Sequence, residues 1–182
     1  MIPIAVLKVK FLIDITLSIF ALTLTLPFML VVALILWVLH GECPFFTQQR
    51  VGKNWKPFTI IKLKTESNKR SCQNSKFIRF IRDLHLDELP QLLNVILGTM
   101  SIVGPRPHIP EHVESYEAWQ KKRLSVKPGL TCLRQLKSPQ KKILYNEFIE
   151  YDIHYIENWS LWLDLKIMAK TLVAFMGLLF NR

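Results

Sequence analysis

At 182 residues, half of them hydrophobic, and with a net charge of +10, the chain has room for one domain with one modest core. Apolar bulk joined to excess Lys and Arg is unlike a soluble enzyme and suits a membrane surface, where anionic headgroups attract basic segments at about 1 kcal/mol per residue. No nucleic acid is expected, because no basic helix or base-stacking aromatic pattern accompanies the charge, and the separated Cys43, Cys72 and Cys132 form neither a disulfide framework nor a C-x-x-C zinc site.

Residues 15–39 contain no charge, and 25 residues of helix cover about 38 Å, enough to cross a hydrocarbon core of about 30 Å. The run is too long for a cleavable signal and lacks a small-residue cleavage site. Pro27 near its middle removes a helix hydrogen bond. Lys8 and Lys10 precede the run, while Arg50, Lys53, Lys56, Lys62 and Lys64 follow it, so both flanks favour the cytoplasmic side. A helix that enters, bends at Pro27 and returns satisfies both flanks, with Thr23 and Thr25 available for the carbonyls freed by proline. An ordinary spanning anchor with a proline kink is the competing reading. The expected organisation is a re-entrant membrane helix over 1–40 and a catalytic domain over 41–182.

The β-prone runs 45–50 and 58–64, separated by a turn containing Gly52 and Asn54, read as a hairpin. Lys62 and Lys64 share a strand face and could meet a diphosphate there; a solvated strand edge explains them equally well. A polar connection over 66–75 leads to a helix from about 75 to 83, whose Arg82 is either a phosphate contact or a surface arginine.

The densest stretch is 82–107. Leu89, Leu92, Leu93 and Ile96 fall at i, i+3, i+4, i+7, the buried stripe of a short helix, and Pro90 requires that helix to have just begun. Asp87 and Glu88 then occupy its amino end, where unpaired N–H groups and the positive dipole end favour an ionised carboxylate and attract phosphate. Gly104-Pro105-Arg106-Pro107 is a stiff turn carrying a guanidinium that matches phosphate oxygens. Ordinary capping by Asp87 and Glu88, and an ordinary stiff turn, explain the same residues without chemistry.

His108-Ile109-Pro110-Glu111-His112 matches H-x-x-E-H in form, but Pro110 belongs at the first helical position and leaves His108 outside, which argues against a metal site. Tyr116, Trp119 and Leu124 alternate with Lys121, Lys122 and Arg123 as an amphipathic helix suited to an interface, and a plain surface helix with one packed side explains them nearly as well. Residues 126–131 read as a turn, 140–158 as a helix bearing Asp152, and 161–180 as an apolar segment for the membrane or the core. Asp152 is either an active-site acid or a surface position. Together these elements predict an α+β fold, mainly helical, with a small β-hairpin and amphipathic interfacial helices.

Leu86-Asp87-Glu88-Leu89-Pro90-Gln91, Asn94-Val95, Gly98-Thr99-Met100-Ser101 and Val103-Gly104-Pro105-Arg106-Pro107 closely resemble the signature of the bacterial sugar transferases called monotopic phosphoglycosyl transferases. Lys10, Asp14 and Pro27, the run from Phe58 to Thr65, Val126 to Thr131, and Tyr151 to Lys166 resemble further motifs of that family. The family's Ser before proline is Leu26 here, its Lys-Arg is Lys10-Phe11, and Glu66 stands where it has Met. After Thr131 the usual Gly-Trp-Ala-Gln-Val-Asn-Gly-Arg gives way to residues 132–139, with only Gln135 kept.

The resemblance implies transfer of a sugar phosphate from a UDP-sugar to polyprenol phosphate, releasing UMP, at the cytoplasmic face of the bacterial inner membrane. It assigns Asp87 as nucleophile and Glu88 as Mg²⁺ ligand. Arg106, Arg82, Lys62 and Lys64 then hold phosphate oxygens, with Asp152 a candidate acid. The altered segment after Thr131 motivates a second reading, a catalytically altered membrane-bound adaptor; charge alone motivates a third, a tethered binder of anionic polymers. The identity of the sugar and the existence of a homodimer are left open.

Overall fold

The structure, a computed structural model, describes residues 3–66, 76–133 and 145–180. Among the described residues it is mainly helical, with one antiparallel hairpin and one short parallel strand pair. The first helix, α1 (Ile4–His40), runs about 55 Å through Pro27 and closes on Gly41, whose left-handed φ of 71° lets its N–H reach the Trp37 carbonyl at 2.8 Å. It is long and apolar enough to cross a membrane.

Both ends of α1 are tied to the same globular body. Near its start, Lys10 Nζ meets Asp164 at 2.6 Å and the Val103 carbonyl at 3.3 Å, and Asp14 accepts from the Ser101 hydroxyl at 2.7 Å. Near its end, Val32, Ala33 and Leu36 are buried against Leu63, Ile78, Ile81, Leu84 and Leu86. Between them, residues 19–28 bury no side chain. Thr23 and Thr25 do not serve the carbonyl freed by Pro27. Their hydroxyls donate to Ile19 and Ala21, one turn back at 2.9 and 2.8 Å, a pattern that bends helices.

Strands β1 (Phe45–Val51) and β2 (Pro57–Leu63) pair antiparallel, Phe45 opposite Leu63 and Val51 opposite Pro57, as the alternation predicts. Asn54 and Trp55 at the tip both take positive φ, 55° and 64°. Helix α2 (Lys76–Asp83) buries Ile78 and Ile81 against α1, each burial contributing roughly 2 kcal/mol.

The central stretch differs from the single helix expected. It forms a 3-10 turn (Leu86–Gln91) that passes into a five-residue α3 (Leu92–Ile96). The buried side carries Leu92, Asn94 and Val95, whereas Leu93 is 39% exposed. A 3-10 turn has three residues per revolution rather than 3.6, so the stripe counted from Leu89 rotates out of phase.

Strand β3 (Ser101–Val103) pairs parallel with β4 (Gly129–Thr131), a contact that sequence periodicity did not suggest. The strands close because Gly104 and Gly129 touch backbone to backbone. A Cβ on Gly104 would lie 2.6 Å from the Lys127 carbonyl oxygen and 2.9 Å from the Gly129 nitrogen.

Helix α4 (Pro110–Glu114) begins at Pro110, as expected, with His108 outside it. The amphipathic helix expected around Tyr116 to Leu124 is instead a turn followed by a 3-10 segment, Gln120–Ser125, with Tyr116 and Leu124 buried in a cluster with Val113 and Ile149. Helices α5 (Tyr145–Glu157) and α6 (Leu161–Phe180) complete the chain. Of the departures after Thr131, residues 134–139 lie outside the described residues, as does most of the connection expected over 66–75.

A buried polar knot joins four elements. Asp164 of α6 receives Lys10 of α1, the Tyr155 hydroxyl of α5 at 2.7 Å and the Trp159 indole N–H at 3.0 Å. Tyr155 also donates to the Val103 carbonyl of β3, and burial beside Asp164 pushes its phenol pKa far up, so it stays a donor.

Candidate active site

The site grows from the turn after α2. His85 adopts a left-handed φ of 54° and reverses the chain, and its carbonyl accepts from the Glu88 N–H at 3.1 Å. Asp87 and Glu88 therefore stand in the first turn of the 3-10 segment, at the amino end that the sequence suggested. The electrostatics of Asp87 are set by its surroundings as well as by the turn. Burial, then the charge of Glu88, push its carboxyl above the ordinary aspartate range, while Lys62 pulls it back. A six-residue 3-10 turn has too little aligned dipole to outweigh desolvation.

Glu88 faces Arg106 in a two-point ion pair, with Nη1 at 3.2 Å from Oε2 and Nη2 donating to Oε1. Arg106 stands between two prolines, and the carbonyls around it are all claimed. Gly129 N–H donates to Pro105 O at 2.9 Å, Arg123 Nη2 to Arg106 O at 2.8 Å, and Arg50 Nη1 to Pro107 O at 3.1 Å. Arg50 is half-buried near Arg106, and burial together with that like charge lowers its pKa.

Four predicted residues thus converge: Asp87, Glu88, Arg106 and Lys62, whose ammonium also lies 5.2 Å above the Phe46 ring. Three are engaged with other residues. Lys64, just past the end of β2, pairs with Glu42, and Arg82 pairs at 3.5 Å with Glu66 on the exposed surface. Asp152 is neither open to solvent nor at the surface; it is buried against Arg123 at 2.6 Å.

Arg123 and Arg50 were read only as charge, because neither has a periodicity or motif that announces a buried role. The Arg123 fork also reaches His108 Nδ1 at 3.0 Å and the Tyr116 hydroxyl, which itself stands 2.7 Å from that Nδ1. Since guanidinium can only donate, Nδ1 is an acceptor and carries no proton. The Nδ1 lone pair of His108 is therefore taken by Arg123 and Tyr116, and among the described residues no three His, Cys, Asp or Glu side chains form a metal-sized group.

For a hard divalent cation the requirement is smaller: one or two carboxylates, with substrate oxygens and water filling the rest. Asp87 and Glu88 are adjacent carboxylates, and the charge of Glu88 raises the pKa of Asp87, a repulsion that a cation relieves. Glu88 is the carboxylate that would hold such a cation, and since Arg106 meets both of its oxygens in this structure, it would share them with Arg106. The arrangement as a whole offers a buried carboxylate beside a second acid, a guanidinium and an ammonium, the parts that phosphoryl chemistry uses.

A family model described as bacterial sugar transferase matches residues 5–177. The uncharacterized sugar transferase EpsL of Bacillus subtilis is 38% identical over 171 residues, covering 89% of this chain and 84% of that protein. The exopolysaccharide production protein ExoY of Sinorhizobium fredii is 34% identical over 187 residues, covering 88% and 82%. The UDP-glucose:undecaprenyl-phosphate glucose-1-phosphate transferase of Klebsiella pneumoniae is 36% identical over 176 residues, which cover 87% of this chain and 38% of that longer protein.

Proposed function

The chain belongs to the bacterial sugar transferase family, and from that premise we propose that it transfers a sugar 1-phosphate from a UDP-sugar to polyprenol phosphate, releasing UMP. The observation that carries this reading is Asp87, buried beside the Glu88–Arg106 pair and within electrostatic reach of Lys62. In the first step an Asp87 carboxylate oxygen bonds to the β-phosphorus, the bridging P–O bond breaks, and its electrons leave with UMP. In the second, an oxygen of polyprenol phosphate displaces Asp87 from the same phosphorus, giving polyprenyl diphosphosugar and the free carboxylate.

Arg106 and Lys62 hold diphosphate oxygens, and the water-poor setting strengthens both contacts. Glu88 is the side chain that would hold Mg²⁺, which supplies charge neutralisation on the diphosphate. The acceptor phosphate lies at a bilayer surface, and α1 supports a membrane location at the cytoplasmic face. With both ends of α1 on one globular body and residues 19–28 free of burial, a re-entrant path is favoured over a straight crossing, which would put the ends on opposite faces.

The test is UMP release by the purified chain in detergent with undecaprenyl phosphate, Mg²⁺ and a panel of UDP-sugars. The parent should turn over one of them, and Asp87→Asn none. With the nucleotide donor but no lipid, mass spectrometry should locate a sugar-phosphate adduct on Asp87. Full activity in Asp87→Asn, or an adduct on another residue, overturns the assignment.

A further inference from the structure

The loop that carries Arg106 is hard to brace from within. Pro105 and Pro107 have no N–H, so beyond the Gly104 N–H, which donates to the Thr131 carbonyl at 3.1 Å, the loop is held through its carbonyls by donors from elsewhere. Of the three donors that do this, Arg123 takes the carbonyl of Arg106 itself. The Arg123 side chain is 3% exposed, and its counter-ion Asp152 on α5 is 6% exposed. The same fork donates to Tyr116 and His108, so the guanidinium plane is set from three directions. Among the described residues, its Nε is buried without a hydrogen-bond partner. A buried ion pair is weak support for stability, and an orphaned Nε makes it weaker. What the arrangement does achieve is a fixed plane beneath Arg106, which a lysine's single ammonium could not supply.

We propose that Arg123, neutralised by Asp152, is a positioning residue that fixes the backbone of Arg106 so that the Arg106 side chain meets the donor diphosphate, without touching the donor itself. Asp152, read from the sequence as an acid for the substrate, then acts through Arg123. The inference rests on the proposed role of Arg106 as a diphosphate contact.

The experiment is a double-mutant cycle on the full chain in detergent, following UMP release against UDP-sugar concentration. It compares the parent, Arg123→Met, Arg106→Met and the double variant. A parent that turns over no UDP-sugar would overturn the functional reading, and this inference with it. With an active parent, Arg123→Met should raise the donor KM about tenfold, with a smaller change in kcat, the scale of one lost charge-assisted contact. In the Arg106→Met background the same substitution should cost less than about twofold, because the group it positions is gone. Equal losses in both backgrounds, or an unchanged KM, would overturn the proposal while leaving the transferase reading intact. If Arg123→Met does not fold, Asp152→Asn replaces it in the cycle. A KM rise confined to the background that keeps Arg106 supports the proposal, and any other pattern sinks it.

Discussion

Asp87 is held at a cost that its chemistry explains. Its raised pKa means that the folded chain binds the proton more tightly than the unfolded chain. The resulting stabilisation is present at low pH and is lost as pH rises through the raised value. The nucleophile needs the opposite, the ionised form. UMP release should therefore climb with pH through an apparent pKa above that of an ordinary aspartate. Lys62→Met should move that midpoint up, because Lys62 pulls it down; a pH–rate series on the parent and this variant checks the sign. Asp87→Asn removes the buried charge, so the inactive variant should melt no lower than the parent at neutral pH. Asp87 and Glu88 are legible in the sequence as a motif and as the amino end of a helix, which the structure makes a 3-10 turn. The pKa direction was not, because desolvation depends on what surrounds the group.

At the scale of elements, the parallel β3–β4 contact sets the angle at which the Arg106 loop leaves the body. Its tightest point is the pair Gly104 and Gly129. Gly104→Ala would drive a methyl into the Lys127 carbonyl and should destabilise the chain by about 1–3 kcal/mol, measured as a lowered denaturation midpoint in detergent. Activity should fall with it, since the same shift tilts Arg106. The hairpin and α2 were legible because alternation and a helical stripe are properties of adjacent residues. The stretch from Tyr116 to Leu124 reads as an amphipathic helix because Lys121, Lys122 and Arg123 look alike in sequence. Only their surroundings separate them: Arg123 is buried, whereas Lys122 pairs with Glu157 at the surface.

For the molecule as a whole, α1 has to enter and leave on one side if the knot at Lys10 and the cluster at Leu36 are both kept. In inside-out and right-side-out vesicles, a membrane-impermeant maleimide should label Cys43, and a lone cysteine placed by Lys8→Cys, only from the cytoplasmic side. Labelling of position 8 from outside would establish a straight crossing. Breaking the knot tests the same geometry by energy. Lys10→Met leaves Asp164 buried without its cation and should cost about 3–5 kcal/mol, read by denaturation and by loss of α1 protection from protease.

The apolar run of α1, the hairpin and the proline-started α4 are determined by the sequence alone, because each depends on residues within one or two turns of one another. The partners of the long charged side chains are decided only in the tertiary structure. Lys10 finds Asp164, Arg123 finds Asp152 and the Arg106 carbonyl, and Glu88 finds Arg106 across separations that no local period encodes. A charged group far along the chain is placed by whichever buried counter-charge packing brings within about 3 Å, and burial then sets both its strength and its pKa.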